Sequence, residues 1–244
     1  AEDKGRLSGC IHDSDSVVNM LKNMFGFTDS TIKQLRDDRE DMMPTKNTIL
    51  REIRWLTENA APGDRLFFHF SGHGGQIEDR SGEEDDGLDE TLLPSDFNTA
   101  GHITDDELYQ HLVARLPEGV RLWVILDCCH SGTALDLPFQ VEPIGSGGFK
   151  VVESRKRGTG RLEIAASRRG APEVIMLSGC KDDQESADVQ SSSGAAGAMT
   201  TALEHCLTPD ISCEHLLEKM RRHLHKKGFN QLPQMSSETF VQLD

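Results

Sequence analysis

The sequence predicts an α/β protein with a central, mostly parallel sheet sandwiched between helices. Short apolar runs bounded by turn residues, Arg65–Phe70, Val120–Asp127 and Val174–Leu177, read as buried strands. Between and around them lie longer stretches whose apolar residues recur at helical spacing. Strands that alternate with helices need crossover connections, which lay the strands parallel and cover both faces of the sheet.

In chain order, Val17, Val18, Met20, Leu21, Met24 and Phe25 form an apolar stripe that predicts a helix over 13–25, with Asp13 near its start. A short strand is expected at Ile32–Leu35. Thr45 can cap a helix carrying Ile49, Ile53 and Leu56, which Ala61-Pro-Gly63 ends. The RLFFHF strand follows, and 71–103 reads as loop. Thr104-Asp-Asp-Glu107 is a capping box opening a helix with Leu108, Leu112, Val113 and Leu116. After the VRLWVILD strand, residues 140–172 are rich in Gly, Ser and Arg and read as a long connector. Beyond Val174–Leu177, helices are expected near 197–207 and 212–226, and a closing strand at Thr239–Leu243.

Lys plus Arg number 26 against 41 Asp plus Glu, a net charge of −15 over 244 residues. Such a surface repels phosphate backbones and anionic bilayers, so neither nucleic acid nor a membrane is an expected partner. No apolar run is long enough to span a bilayer, and no secretory signal opens the chain. The first residue is Ala1 rather than an initiator Met, which fits a processed or trimmed N-terminus. The six cysteines form no CxxC pair, and Cys128 and Cys129 are adjacent, a poor geometry for a structural disulfide. Reduced thiols in a cytoplasmic setting are expected.

Two loaded segments begin at the carboxyl ends of strands, where function collects in such sheets. His73 lies between glycines after one strand, and Cys129 lies two residues beyond the strand that ends at Asp127. If those strands are neighbours, an imidazole can help form a thiolate, the basis of a Cys-His dyad. A packing thiol beside a loop histidine is the plain alternative, and on residue type alone it is the better one. The glycines and the strand-end positions make the two readings even. Zinc on Cys128, Cys129, His130 and His73 fails on spacing, because adjacent cysteines do not both point at one tetrahedral ion.

Between Glu78 and Glu107 there are twelve carboxylates and a single opposing Arg80. At that density they are solvated or hold a hard cation such as calcium. An EF-hand fails on register, since aligning Gly87 with its glycine puts Gly82 and Leu93 at ligand positions. Arg155-Lys-Arg157, Arg161 and Arg168-Arg169 make the connector basic.

Taken together, Phe70-Ser-Gly-His-Gly-Gly75 and Asp127-Cys-Cys-His-Ser-Gly-Thr133 resemble the catalytic signature of the metacaspases, caspase-like cysteine peptidases. Further matches in the same order are Gly9-Cys-Ile-His-Asp13, Asp85-Asp-Gly-Leu-Asp-Glu90, Leu92-Leu-Pro-Ser-Asp-Phe97, Asp136-Leu-Pro-Phe139, Leu177-Ser-Gly-Cys-Lys-Asp-Asp-Gln184 and Gly197-Ala-Met-Thr200. The absence of a very long insertion between the halves resembles type I. The resemblance implies a caspase-hemoglobinase fold in one peptidase domain. Its large-subunit-like half would be 1–139, its connector 140–172 and its small-subunit-like half 173–244.

It further implies His73 and Cys129 as catalytic residues, and an oxyanion hole from the backbone N–H groups of Gly74 and Cys129. Cys10, Asp13, Ser71 and Asp127 would line the substrate pocket, and Asp89, Asp105, Asp106 and Asp136 would hold calcium. A calcium-activated monomer cutting peptide or protein substrates after Arg or Lys is the expected function. A catalytically silent, calcium-responsive scaffold on the same fold is the alternative. The basic connector would be the place of self-cleavage. Family members carry an apolar strand just ahead of Gly-Cys-x-x-Asp, whereas only Ala1 and Leu7 are apolar before Gly9 here. A sheet lacking that strand is therefore expected.

Overall fold

The computed structural model describes residues 7, 9–79, 87–129, 134–144, 148–153, 171–179, 188–191 and 194–240. The elements in order are α1 (Cys10–Phe25), α2 (Lys46–Thr57), β1 (Arg65–Ser71), β2 (Gly74–Glu78), β3 (Leu88–Leu92), α3 (Phe97–Ala100), β4 (Ile103–Thr104), α4 (Asp105–Leu112), β5 (Arg121–Asp127), β6 (Phe139–Pro143), β7 (Phe149–Glu153), β8 (Glu173–Ser178), β9 (Asp188–Ser191), β10 (Gly194–Gly197), α5 (Ala198–Cys206), α6 (Cys213–Lys226) and β11 (Gln234–Ser237). The main sheet runs β1-β5-β8-β11-β6-β7, with β2-β3-β4 and β9-β10 as smaller sheets. β1, β5 and β8 are parallel, and β11 with the β6–β7 hairpin extends the sheet antiparallel.

Local chemistry sets the helix ends. The Thr45, Thr104 and Ser212 hydroxyls accept from the N–H of Thr48, Glu107 and His215. Gly26 stops α1 at φ 73°, a left-handed cap that suits glycine.

Period-2 alternation divides the core between the two faces of the sheet. Leu122, Val124 and Leu126 of β5 pack with Ile49 and Ile53 of α2 and Leu108 and Leu112 of α4. Ile125 of β5 faces the other way, among Val17 and Leu21 of α1, Met199 and Leu203 of α5, and Leu216 and Met220 of α6.

Four sequence expectations change. Ile32–Leu35 is not a strand: Ile32 is extended (φ −118°, ψ 132°), yet the segment belongs to none of the described sheets. It lies across a groove of about 1150 Å³ from β1, which is an edge of the main sheet. The 71–103 stretch holds β2, β3, α3 and the start of β4. The glycines of β2 and the acids of β3 hid them, because neither residue type favours strands. Residues within 140–172 form the β6–β7 hairpin, where Val141 pairs with Val151. The basic residues of the connector, 155–169, lie outside the described residues. The last strand is Gln234–Ser237 rather than Thr239–Leu243; Thr239 and Phe240 are not in a strand, and 241–244 lie outside the description. Its polar residues carry no apolar signal, although Ser236 and Ser237 are buried.

Leu122 is wholly buried between the sheet and the α2–α4 layer. Leu122→Ala should cost about 2–5 kcal/mol and Thr104→Ala about 1 kcal/mol, read from urea denaturation midpoints at unchanged slope.

Candidate active site

The parallel register pairs Ser71 with Asp127, so the carboxyl ends of β1 and β5 lie side by side. Ser71 and Asp127 follow the same alternation and point toward α1 and α5. The next residue, Cys128, turns to the opposite face and is buried in the α2–α4 layer. Beyond it Cys129 is half-buried.

His73, which is exposed, is bracketed by two contacts to this strand end. The Gly72 N–H donates to the Asp127 carbonyl at 3.4 Å. Gly74 presses against the Cys129 backbone so closely that a Cβ would come within 2.0 Å of the Cys129 carbonyl oxygen. Glycine is required there by contact alone. The sequence-expected pair therefore lies on adjoining segments.

The residues expected to line a pocket converge more tightly still. Asp13, on the first turn of α1, is 1% exposed and Asp127 is 4% exposed. The Ser71 hydroxyl donates to Asp13 Oδ2 at 2.7 Å, and the Gly197 N–H donates to Asp13 Oδ1 and Oδ2 at 2.8 and 3.0 Å. Asp127 Oδ2 accepts from the Thr200 N–H and Oγ1, both at 2.9 Å. A Cβ on Gly197 would come within 2.1 Å of Asp127 Oδ2 and 2.7 Å of Asp13 Oδ2. Both carboxylates thus crowd against Gly197, leaving no room for a side chain there. Burial pushes the Asp13 carboxyl above its ordinary value, and the hydrogen bonds from Ser71 and Gly197 pull it back only in part. Cys10 stands one turn before Asp13 at the start of the same helix, half-buried.

His69, two residues before Ser71 on the same face of β1, lies 3.4 Å from Thr200 Oγ1 through Nε2. Desolvation lowers its pKa to about 4. It is neutral at ordinary pH and adds no positive charge beside the two carboxylates.

Carboxylate oxygens of Asp105, Asp106 and Asp136 lie within 4.8 Å of one another, and Asp105 and Asp136 are buried. Asp136 sits at φ 44°, a left-handed backbone for a residue that is not glycine. A donor set of three carboxylates, all oxygen, suits a hard cation such as calcium. Asp89, the fourth expected ligand, is on β3 and is not part of this cluster. Residues 80–86 of the acidic stretch and His130–Thr133 lie outside the described residues.

The metacaspase peptidase C14 domain family model matches residues 2–138. The chain belongs to the metacaspase family. It is 40% identical to Metacaspase-1 of Emericella nidulans over 96% of its own length and 67% of that protein. It is 37% identical to Metacaspase-1 of Saccharomyces cerevisiae over 96% of the chain and 63% of the relative. With Metacaspase-1 of Cryptococcus neoformans it shares 40% identity over 95% of the chain and 58% of the relative. The chain thus spans roughly three fifths to two thirds of the curated relatives it matches. A crystal structure from Geobacter sulfurreducens superposes with a TM-score of 0.65 at 25% identity, covering 97% of this chain and 86% of that one. The caspase-like fold and the family read from the motifs are both borne out. Among the described residues, no helix is long and apolar enough to cross a membrane.

Sequence reasoning missed the roles of Gly197 and Thr200, which donate hydrogen bonds to the Asp13 and Asp127 carboxylates. The signal was present in Gly197-Ala-Met-Thr200, a motif matched to the family without a task. Its task emerges only when β10 and α5 fold over β5.

For Asp13 the ionised form is the costly one, because its folded pKa lies above the unfolded value near 3.8. Below that value its contribution to stability is fully present, and it is lost as pH rises through the raised folded pKa. Asp13→Asn should therefore match the parent in thermal stability at low pH and gain on it as pH climbs toward neutrality. Paired melting curves across that range check this, and a gap that shrinks with rising pH would contradict it.

Proposed function

We propose that this chain is a calcium-activated cysteine endopeptidase that cleaves after Arg or Lys. The observation that carries the reading is the buried Asp13–Asp127 pair, crowded against Gly197 and adjoining the Gly74–Cys129 contact. Two carboxylates at the base of a pocket attract a guanidinium or ammonium and repel a substrate Asp, since like charges brought together cost several kcal/mol.

In this mechanism His73 takes the proton from the Cys129 thiol, and the thiolate attacks the carbonyl carbon next to the bound basic residue. The Gly74 and Cys129 backbone N–H groups hold the oxyanion. As the tetrahedral intermediate collapses, the C–N bond breaks and His73 protonates the leaving amine. A thioester remains on Cys129. Water, deprotonated by His73, then adds to that carbonyl and the thiolate departs.

Asp105, Asp106 and Asp136 are the residues that would hold calcium, with Asp89 of β3 as a further candidate. Bound calcium would supply positive charge that offsets their mutual repulsion and orders the segments carrying them. The molecule is expected to act as a monomer on protein substrates, and the basic residues of 155–169 are candidate self-cleavage sites.

Matched reporter peptides ending in Arg, Lys or Asp, assayed with and without calcium, test the reading. Hydrolysis is expected after Arg and Lys alone, rising with calcium and falling to background in Cys129→Ala. Asp136→Asn should weaken the response to calcium while leaving the melting temperature close to the parent's. Equal cleavage of the Asp peptide, or indifference to calcium after chelator treatment, would overturn the corresponding half of the proposal. If the intact parent labels at no cysteine with a peptidyl-Arg electrophile, the scaffold alternative gains instead.

A further inference from the structure

β1 carries two polar side chains on the face it turns to α1 and α5, and each bears on one of the buried acids. Ser71 donates to Asp13 directly. His69, two residues earlier, reaches Asp127 only through Thr200. Its Nε2 lies 3.4 Å from Thr200 Oγ1, and that oxygen lies 2.9 Å from Asp127 Oδ2. The direction of these bonds follows from the protons available. A threonine hydroxyl has one hydrogen to give and two lone pairs to accept with. Thr200 is 1% exposed, so bulk water does not compete for either. An ionised Asp127 only accepts, and its charged oxygen at 2.9 Å takes the one hydrogen in preference to a neutral nitrogen at 3.4 Å. The hydroxyl therefore points at Asp127, and Nε2 must donate to it. His69 is then the tautomer with a proton on Nε2 and none on Nδ1.

We infer that His69 is a positioning residue for Asp127, donating through Thr200 so that the carboxylate is held for a basic substrate side chain, an inference resting on the basic-pocket reading above. The bond from Nε2 occupies a lone pair of Oγ1, which stops the hydroxyl from rotating. It also polarises the O–H toward Oδ2, since hydrogen bonds in a chain reinforce one another. With the Thr200 N–H, also 2.9 Å from Oδ2, one oxygen of Asp127 is fixed by two donors. A neutral imidazole suits this task. Lys or Arg in its place would set a fixed positive charge near Asp127 and diminish the attraction for an incoming guanidinium or ammonium. Phe would leave the hydroxyl without a donor. Desolvation, which holds the His69 pKa to about 4, keeps the ring uncharged where a free imidazole is partly protonated.

Two measurements test this. Ring nitrogen-15 shifts of the parent near neutral pH, assigned to His69 by their loss in His69→Gln, should show a protonated Nε2 and a bare Nδ1. The opposite tautomer overturns the inference, because Nε2 would then draw the hydroxyl away from Asp127. Kinetics on Arg and Lys reporter peptides give the second readout. His69→Phe keeps a ring and removes the donor. KM should rise about fivefold on both peptides, the size of one neutral hydrogen bond, with kcat nearly unchanged. His69→Gln, whose Nε2 reaches a similar position and donates, should recover most of that loss. In a Thr200→Val background, His69→Phe should add nothing further. An unchanged KM in His69→Phe, equal losses in the Phe and Gln variants, or a loss undiminished in the Thr200→Val background overturns the role and leaves the basic pocket standing. If His69→Phe fails to fold, the tautomer read on the parent decides. A parent that cleaves neither peptide while hydrolysing others sinks the pocket reading and this inference with it, whichever tautomer is found.

Discussion

Two carboxylates buried within a methyl's width of one backbone glycine set the terms for the rest of the molecule. Taken from water, Asp13 and Asp127 would repel each other and each lose its hydration. The fold answers with donors it can fix in place: a serine hydroxyl on β1, the Gly197 N–H, and both the N–H and hydroxyl of Thr200. Those donors satisfy lone pairs without supplying a countercharge, and the raised pKa of Asp13 records what remains uncompensated. On the proposed mechanism, a substrate cation removes that remainder of cost. Strain of this kind at a site, offset by packing elsewhere, is what one expects where a protein's local rules yield to its task.

The placement of these groups follows from strand geometry. On β1, Leu66, Phe68 and Phe70 go to the α2–α4 layer, leaving Phe67, His69 and Ser71 for the α1–α5 side. On β5 the odd residues Ile125 and Asp127 share that second side. One residue of slip between β1 and β5 would turn Ser71 away from Asp13 and dismantle the pocket. The deep core around Leu122, Val124 and Leu126 therefore has a second duty, since it pins the register on which the hydrogen bonds depend.

Much of this was legible in the residues, and the exceptions have physical causes. RLFFHF is apolar on both faces though only half-buried, and VRLWVILD is buried on both, so their composition announces them, and the capping residues Thr45 and Thr104 mark their helices directly. The motif residues His73, Cys129, Asp13 and Asp127 could be named because their spacing survives in one dimension. Gly197 and Thr200 could not be assigned tasks. Their partners lie 73 or more positions away for Thr200 and 184 for Gly197, and only the crossover brings them together. Ile32–Leu35 has the apolar pattern of a strand, but strand status needs a hydrogen-bonded neighbour, which no periodicity can supply. The β2–β4 sheet was hidden for the opposite reason: glycines and acids form it because tertiary pairing overrides their weak propensity.

On the proposed mechanism, the same small sheet links the carboxylate cluster to Cys129. β2 begins at Gly74, the residue against Cys129, and pairs with β3 from Gly74–Leu92 to Glu78–Leu88. β3 in turn pairs Thr91 with Thr104, and Asp105 and Asp106 follow as the first residues of α4. From the other side, the chain leaving Cys129 reaches Asp136 seven positions later. The cluster is therefore where the continuation of the histidine strand meets that of the cysteine strand. On the proposed mechanism, the mutual repulsion of Asp105, Asp106 and Asp136 pushes those two continuations apart. A divalent cation among them reverses the sign of that force, and on the proposed mechanism this is how calcium acts on catalysis without touching the reacting atoms.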